Sequence, residues 1–370
     1  MDDNVLAFLA LLRGGLWEEE VLLAQYPKID FGAVYTLAEE QAVVGLIAAG
    51  MEHVKDVTLP KDFALKVAGY TLQLEQRNSA MNGFIATLMG KMNNAGIYAL
   101  LVKGQGIAQC YQRPLWRAPG DVDLFLNETN YNAAKSFFPT IASSIKPENP
   151  YTKHLGMTVD SWEVELHGNM RANILNRMDE VIDAVQEDTF VNKKVRIWRN
   201  GSSDILLPSP DNDLIFIFTH ILHHFYRGGI GLRQICDWCR LLWTYRLQLN
   251  QDLLETRLKQ AGIMQEWKAF ANFVVGYLGM PESYIPCFGH LSNNKKKSRR
   301  LLSFIIKTGN FGHNRDRSFY QKYPYLIRKC ISLWRNGGDI LHHLSLFPCN
   351  SFLYLLRFLN KGFLAIAVGD

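Results

Sequence analysis

Asp121 and Asp123 stand one apolar residue apart in the run Arg117-Ala-Pro-Gly120-Asp121-Val122-Asp123-Leu124-Phe125-Leu126. At the start of a β-strand this spacing turns both carboxylates to one side while Val122 enters the core. Two carboxylates that close repel unless a cation lies between them, and paired hard oxygen ligands suit Mg²⁺. A third carboxylate from a neighbouring strand would complete a site for two metal ions, the arrangement used for in-line displacement at phosphorus. Glu165 and Glu163 are the candidates, because Ser161, Glu163, Glu165 and His167 share one face of an expected strand by the two-residue period. Lys103 and Arg117 can pair with phosphate oxygens, and Gly104 leaves room for those oxygens to reach backbone N–H groups.

These residues need strands to hold them, and the chain supplies them in its middle. The first 95 or so residues read as helices: Asp3 caps a short one, Trp17-Glu-Glu-Glu opens a second, and Phe31 to Met51 is apolar with helix formers. Pro60 starts a long amphipathic stretch through Met92, with Phe63, Val67, Tyr70, Leu74, Met81, Phe84 and Leu88 at three- and four-residue spacing. The pattern changes after Asn93-Asn-Ala-Gly96. Ile97 to Lys103 is a short apolar run typical of a buried strand, and Gly106–Tyr111 a short helix. Val122 to Leu126 is a second strand, followed by a helix from about Tyr131 to Ser143. Met157 to Leu166 reads as a third strand, 176–187 as a helix and Phe190 to Trp198 as another strand. From Pro208 onward helices return, among them Leu214–Phe225 and Leu232–Tyr245. The expected organisation is a mostly helical α+β chain with an N-terminal helical region (1–95), an α/β core (96–205) and a C-terminal helical domain (206–370).

The order of these signals is more specific than any one of them. The sequence resembles the nucleotidyltransferase superfamily, most closely a bacterial nucleotidyltransferase-like group built on Leu-x-Lys-Gly, Arg-x-x-Gly-Asp-x-Asp-Leu and a later Glu/Asp-x-His. Here these are Leu101-Val-Lys103-Gly104, Arg117 to Leu124 and Glu165-Leu-His167. The likeness covers about residues 60–245 and takes in His220 and His224, four apart, with Arg233 and Asp237 on the next helix. The resemblance implies a small mixed sheet with helices on one side. It implies transfer of a nucleoside monophosphate from an NTP, ATP first among them, to a hydroxyl acceptor (a small molecule, sugar or protein), with release of pyrophosphate. Carried over by residue, Asp121 and Asp123 hold two Mg²⁺ ions, with Mn²⁺ as a substitute, and Glu165 supplies the third carboxylate and the base. Lys103, Gly104, Arg117 and Gly120 approach the nucleotide; Glu163, His167, His220, His224, Arg233 and Asp237 line or brace the cleft. One departure stands out: the superfamily's usual Gly-Ser after the first strand is Gly104-Gln105, so a phosphate-binding hydroxyl is missing and phosphate binding leans on Lys103 and Arg117.

Composition narrows the alternatives. Of 370 residues 48% are hydrophobic and 20% charged, with 8 Trp, 15 Tyr and 21 Phe, enough for sizeable cores and too much for a disordered chain. No apolar run approaches the ~20 residues needed to cross a bilayer, and the start Met1-Asp2-Asp3 is acidic where a signal peptide is basic. A cytoplasmic protein without membrane insertion is expected. Six scattered cysteines imply no disulfide framework, and Cys236-Asp-Trp-Cys239 reads as a buried helical pair. His220, His223 and His224 share a helix face, where a hydrogen bond to Asp237 or a backbone carbonyl is expected. The net charge of +5 is uneven: residues 1–60 hold ten acids against three bases, and 291–335 twelve bases against one acid. The basic stretch 295–329 includes aromatics, a mixture also used to bind nucleic acid, but a helical pair with a solvated face is the expected reading. Gly309-Asn-Phe-Gly312 within it is expected to be a helix stop. Two other functions fit the same residues less well: a catalytically silent scaffold that binds a partner, and a transferase acting on nucleic-acid ends.

Overall fold

The structure is a computed structural model that describes residues 2–149, 152–288, 295–314 and 323–368. Its architecture is α+β and mostly helical, with a small mixed sheet. Helix α1 (Asp3–Trp17) is capped by Asp2, whose side chain accepts from Asn4 N–H. Trp17 closes this helix rather than opening the next. Glu18 takes a left-handed conformation (φ 57°), and the acidic run that follows is not helical. Phe31 to Met51 divides into α2 (Phe31–Glu40), capped by Asp30, and α3 (Val44–Met51), with Ala42 at φ 55° between them. Helix α4 (Lys61–Asn94) buries Phe63, Val67, Thr71, Leu74, Asn78, Met81, Ile85, Leu88 and Met92, a three-to-four-residue stripe along its whole length.

The sheet runs in the order β1 (Leu100–Val102), β2 (Val122–Phe125), β5 (Trp162–His167), β4 (His154–Val159) and β3 (Ser144–Ile145). Only the β2–β5 pair is parallel. Two expected single strands are built differently. Residues 157–166 bend at Asp160 (φ 47°) and Ser161 (φ 69°), consecutive left-handed residues of the kind that fit a two-residue hairpin turn to strand twist. Residues 190–198 become the end of α7 (Asn176–Phe190) and strand β6 (Val195–Asn200), which pairs with β7 (Ser203–Pro208). Between them, α5 (Gly104–Ala108) follows β1 and α6 (Glu128–Phe137) follows β2.

Side chains alternate across the sheet. Leu101, Val122, Leu124 and Leu166 enter one core with Met81, Ile85 and Leu88 of α4 and Tyr131 of α6. Leu100, Val102 and Phe125 enter a larger core shared by the N-terminal helices and the helices that follow the sheet. Those are α8 (Pro210–Arg227), α9 (Leu232–Tyr245), α10 (Gln251–Ala261), α11 (Met264–Leu278), α12 (Lys295–Thr308), α13 (Tyr325–Leu346) and α14 (Pro348–Val368). Cys236 and Cys239 are buried on α9 and unbonded, and burial holds both thiols well above their ordinary pKa. In the basic stretch, α12 buries Leu301, Leu302, Phe304 and Ile305 and exposes Lys295, Lys296, Arg299 and Arg300. Phe304 packs against Phe225 instead of facing solvent; Arg315, Arg317, Phe319, Tyr320 and Lys322 lie outside the described residues. Among the described residues no helix is long and apolar enough to cross a membrane.

Candidate active site

Strand register builds the acidic centre. Asp123 lies opposite Val102 on one side and Glu165 on the other, so the parallel β2–β5 pair places these two carboxylates side by side. Asp121 precedes the strand on the same side, and carboxylate oxygens of Asp121, Asp123 and Glu165 lie within 4.8 Å of one another. Glu163 shares the face of Glu165 but is turned to solvent, bonded by Lys146 Nζ (2.6 Å) and Thr158 Oγ1 (2.8 Å). Glu165 is therefore the third carboxylate of the group.

The charges are not left bare. Lys103 Nζ donates to Asp123 Oδ1 at 2.9 Å, and His167 Nε2 lies 2.7 Å from the same oxygen. Burial disfavours ionised Asp123, yet Lys103 and His167 outweigh it and hold the carboxyl well below the usual range. Asp121, at the exposed mouth, goes the other way: Asp123 first, then burial and Glu165, push it up to about 6. Glu165 is lowered despite its burial because His154 Nε2 bonds Oε2 at 2.9 Å, and that bond raises His154. Burial and the nearby Lys103 lower His167.

Lys103 reaches Asp123 from a backbone conformation rare for L side chains (φ 56°, ψ −146°), followed by Gly104 at φ 38°. A Cβ on Gly104 would approach the carbonyl oxygen of Asp121 to 3.4 Å, so the turn runs close under the loop that delivers the aspartates. Gln105 turns inward: its Nε2 donates to Asn78 Oδ1 (2.7 Å), and Asn78 Nδ2 donates to the carbonyls of Leu115 (2.6 Å) and Arg117 (2.9 Å). The residue in the place of the expected serine thus holds the loop and offers no side chain to a phosphate.

Arg117 is likewise committed. Its guanidinium makes a paired contact with Asp237 of α9, Nε to Oδ1 and Nη2 to Oδ2, both 2.7 Å, and Tyr111 Oη donates to the same carboxylate at 2.7 Å. Asp237 therefore bonds no histidine; His223 Nδ1 is 2.8 Å from the carbonyl of Ala172, and His220 and His224 face each other at 3.1 Å between Nε2 atoms. Burial drives all three imidazoles to the neutral form, His223 to about 4 and His224 to about 3. Arg233 Nη1 donates to the carbonyls of Ala118 and Pro119, both 3.1 Å, and approaches Gly120. Burial, then Arg117, lowers it to about 10.

The three carboxylates, Lys103, Gly104, Arg117, Arg233, Asp237 and the histidines border one cleft of about 820 Å³. Sequence reasoning missed two of its walls. His154 is found only once β4 is known to pair with β5, because that register sets His154 opposite His167. Phe311 arrives from the loop expected to be a simple helix stop. It takes φ 53°, lies against His224 (4.5 Å between ring centres) and under the Arg233 guanidinium (5.5 Å), and faces the cleft.

The cluster fits a divalent cation on its own evidence: three carboxylates converge, and Asp121 is pushed toward protonation by the neighbour a cation would separate it from. The family model described as an uncharacterised nucleotidyltransferase matches residues 27–273, about two thirds of the chain. No curated protein matches, and no solved structure matches.

Proposed function

The chain belongs to this nucleotidyltransferase family, and from that premise we propose that it moves a nucleoside monophosphate from an NTP, ATP first, to a hydroxyl acceptor. The observation that carries the reading is the register pair Asp123–Glu165, joined by Asp121 on the wall of the cleft. The acceptor oxygen bonds to the α-phosphorus while the bond to pyrophosphate breaks, and the hydroxyl proton passes to Glu165. Mg²⁺ held by Asp121, Asp123 and Glu165 would neutralise the triphosphate and polarise the α-phosphate, with Mn²⁺ as a substitute.

The chain's own groups set the rest. Lys103 keeps Asp123 ionised and in place, and the Gly104 turn presents backbone to the phosphates. Arg117 and Asp237 lock the loop that carries Gly120 and Asp121 to α9. The neutral His220 and His224 add hydrogen-bonding groups to the wall without adding charge. The acceptor is a small molecule, sugar or protein; the burial of Phe304 against Phe225 takes one aromatic of the basic stretch out of reach of nucleic-acid bases.

The test is release of pyrophosphate from labelled NTPs offered with Mg²⁺ and a metabolite extract. Label should move to an acceptor with wild type and fall by several orders of magnitude with Asp121→Ala plus Asp123→Ala. Turnover or nucleotide binding indifferent to both the metal and the substitutions would overturn the reading.

A further inference from the structure

We propose that His154, Glu165 and His167 form a second metal site, selective for a borderline divalent transition ion of the Mn²⁺ to Zn²⁺ series. It lies beside the carboxylate site and shares Glu165 with it; the inference rests on the transferase reading only through that shared residue. The three offer ligand atoms within 4.8 Å of one another. His154 Nε2 is 2.9 Å and His167 Nε2 3.6 Å from the same oxygen, Glu165 Oε2. Metal–ligand bonds of about 2.0–2.2 Å meeting at about 90–110° set neighbouring ligand atoms roughly 2.8–3.6 Å apart. Both separations fall in that interval. A single hydrogen bond would account for the first but not for the second, which is too long to be one.

The ligands are also held before any ion arrives. His154 and His167 are direct partners across the β4–β5 ladder. His154 exchanges both backbone bonds with Asn149 (2.9 and 3.2 Å), and Gly168 N–H closes the end of the ladder on the carbonyl of Lys153 (2.8 Å). The two rings sit 5.0 Å apart on the wall of the cleft, so an ion and its remaining ligands can enter from solvent. Three protein ligands with open positions is the pattern of a reactive site rather than a structural one.

The donor set decides the class of ion. Mg²⁺ prefers oxygen, whereas imidazole nitrogen suits later first-row ions, so two histidines beside one carboxylate discriminate against Mg²⁺. Binding requires both Nε2 atoms unprotonated, so His167 gives up the hydrogen bond to Asp123 Oδ1, which Lys103 continues to hold.

Chelator-stripped protein titrated with Co²⁺ in the absence of nucleotide tests this, read by visible d–d absorption and by Zn²⁺ competition. His154→Gln and His167→Gln should each weaken Co²⁺ binding at least about tenfold, the lower end of what even an outer partner of a ligand contributes. Asp121→Asn, which removes a ligand of the carboxylate site and neither imidazole, should weaken it less than either histidine substitution. Wild type loaded with Mn²⁺ should show imidazole nitrogen couplings by pulsed electron paramagnetic resonance, a readout that needs no variant. Co²⁺ affinity indifferent to both histidines, or no nitrogen coupling, would overturn the inference. Mg²⁺-supported NTP turnover in such a protein would leave the transferase reading standing; histidine-dependent Co²⁺ binding without turnover would do the reverse.

Discussion

Asp121 and Asp123 are two residues apart, yet their environments push them in opposite directions. Asp121 is raised to about 6, chiefly by Asp123. Between the ordinary carboxyl value near 4 and that value, the folded state holds more protons at Asp121 than the unfolded one, so this residue makes metal-free stability fall as pH rises. Asp121→Asn should abolish that slope and leave the metal-free protein at least as stable as wild type above pH 6. Asp123 is depressed, so its contribution is present above the unfolded value and is lost as pH falls through the folded one. Asp123→Asn leaves the Lys103 ammonium facing an amide inside the protein and should cost about 3 kcal/mol. Urea denaturation in chelator at pH 5 and 7.5 separates the two. Equal destabilisation by both substitutions would mean that both aspartates simply hold the strand. The simple picture of two carboxylates repelling until a cation arrives holds for Asp121; at Asp123 the chain supplies its own cation, Lys103.

At the scale of elements, the site is a product of register and of distant helices. The aspartate pair and Glu165 were legible because the two-residue strand period fixes which side chains share a face, and the α4 stripe was legible for the same kind of reason. The β4–β5 turn was not, because Asp160-Ser161 lacks the glycine that usually announces a left-handed turn, and His154 was hidden with it. Arg117 carries a charge suited to phosphate, and nothing in its local sequence reveals a partner 120 residues away. Phe311 is the extreme case. Its loop reads as a helix end, yet Asn310 accepts from Gln234 Nε2 at 2.9 Å and packs so tightly on Gly231 that a Cβ there would meet it at 2.8 Å. The loop is thereby seated on the α8–α9 turn with an aromatic ring in the cleft, in a strained backbone conformation that its neighbours enforce. An aromatic face is worth about 1–3 kcal/mol to a planar group stacked on it. Phe311→Ala should therefore raise the KM of the substrate lying there roughly fivefold or more, with kcat within about twofold. Steady-state kinetics in both substrates would show it, and two unchanged KM values would remove this loop from substrate binding.

Over the whole molecule, the chain order of three segments does not predict how they share a core. The N-terminal helices are bonded to three of the helices that follow the sheet, α11, α9 and α12: Arg13 Nη1 donates to the carbonyl of Tyr277 (3.3 Å), Arg240 Nη1 to that of Leu16 (2.7 Å), and Gln41 Nε2 to that of Ile305 (3.2 Å). Arg240 Nε also reaches the carbonyl of Cys110 (2.8 Å), tying the same helix to the segment just after α5. The cleft is thus walled by the sheet on one side and by α8, α9 and the 309–312 loop on the other, with the N-terminal helices bracing both. Among the tightest joints in this assembly is the α1–α3 crossing, where a Cβ on Gly15 would lie 1.9 Å from the carbonyl oxygen of Leu46 and one on Gly50 1.9 Å from that of Leu11. Backbone against backbone cannot yield as a flexible side chain would, so Gly15→Ala must separate the helices. Its cost should reach the upper end of overpacking effects, about 3 kcal/mol. Because one core joins both ends of the chain, that loss should reach the acidic centre although Gly15 lies outside the cleft. Calorimetry should show wild type melting in a single transition and Gly15→Ala shifting all of it downward, with Mg²⁺-dependent stabilisation lost over the same temperature range. A second transition left in place by the substitution would show that the helices of 1–95 form a unit that melts on its own, and that the site does not depend on them.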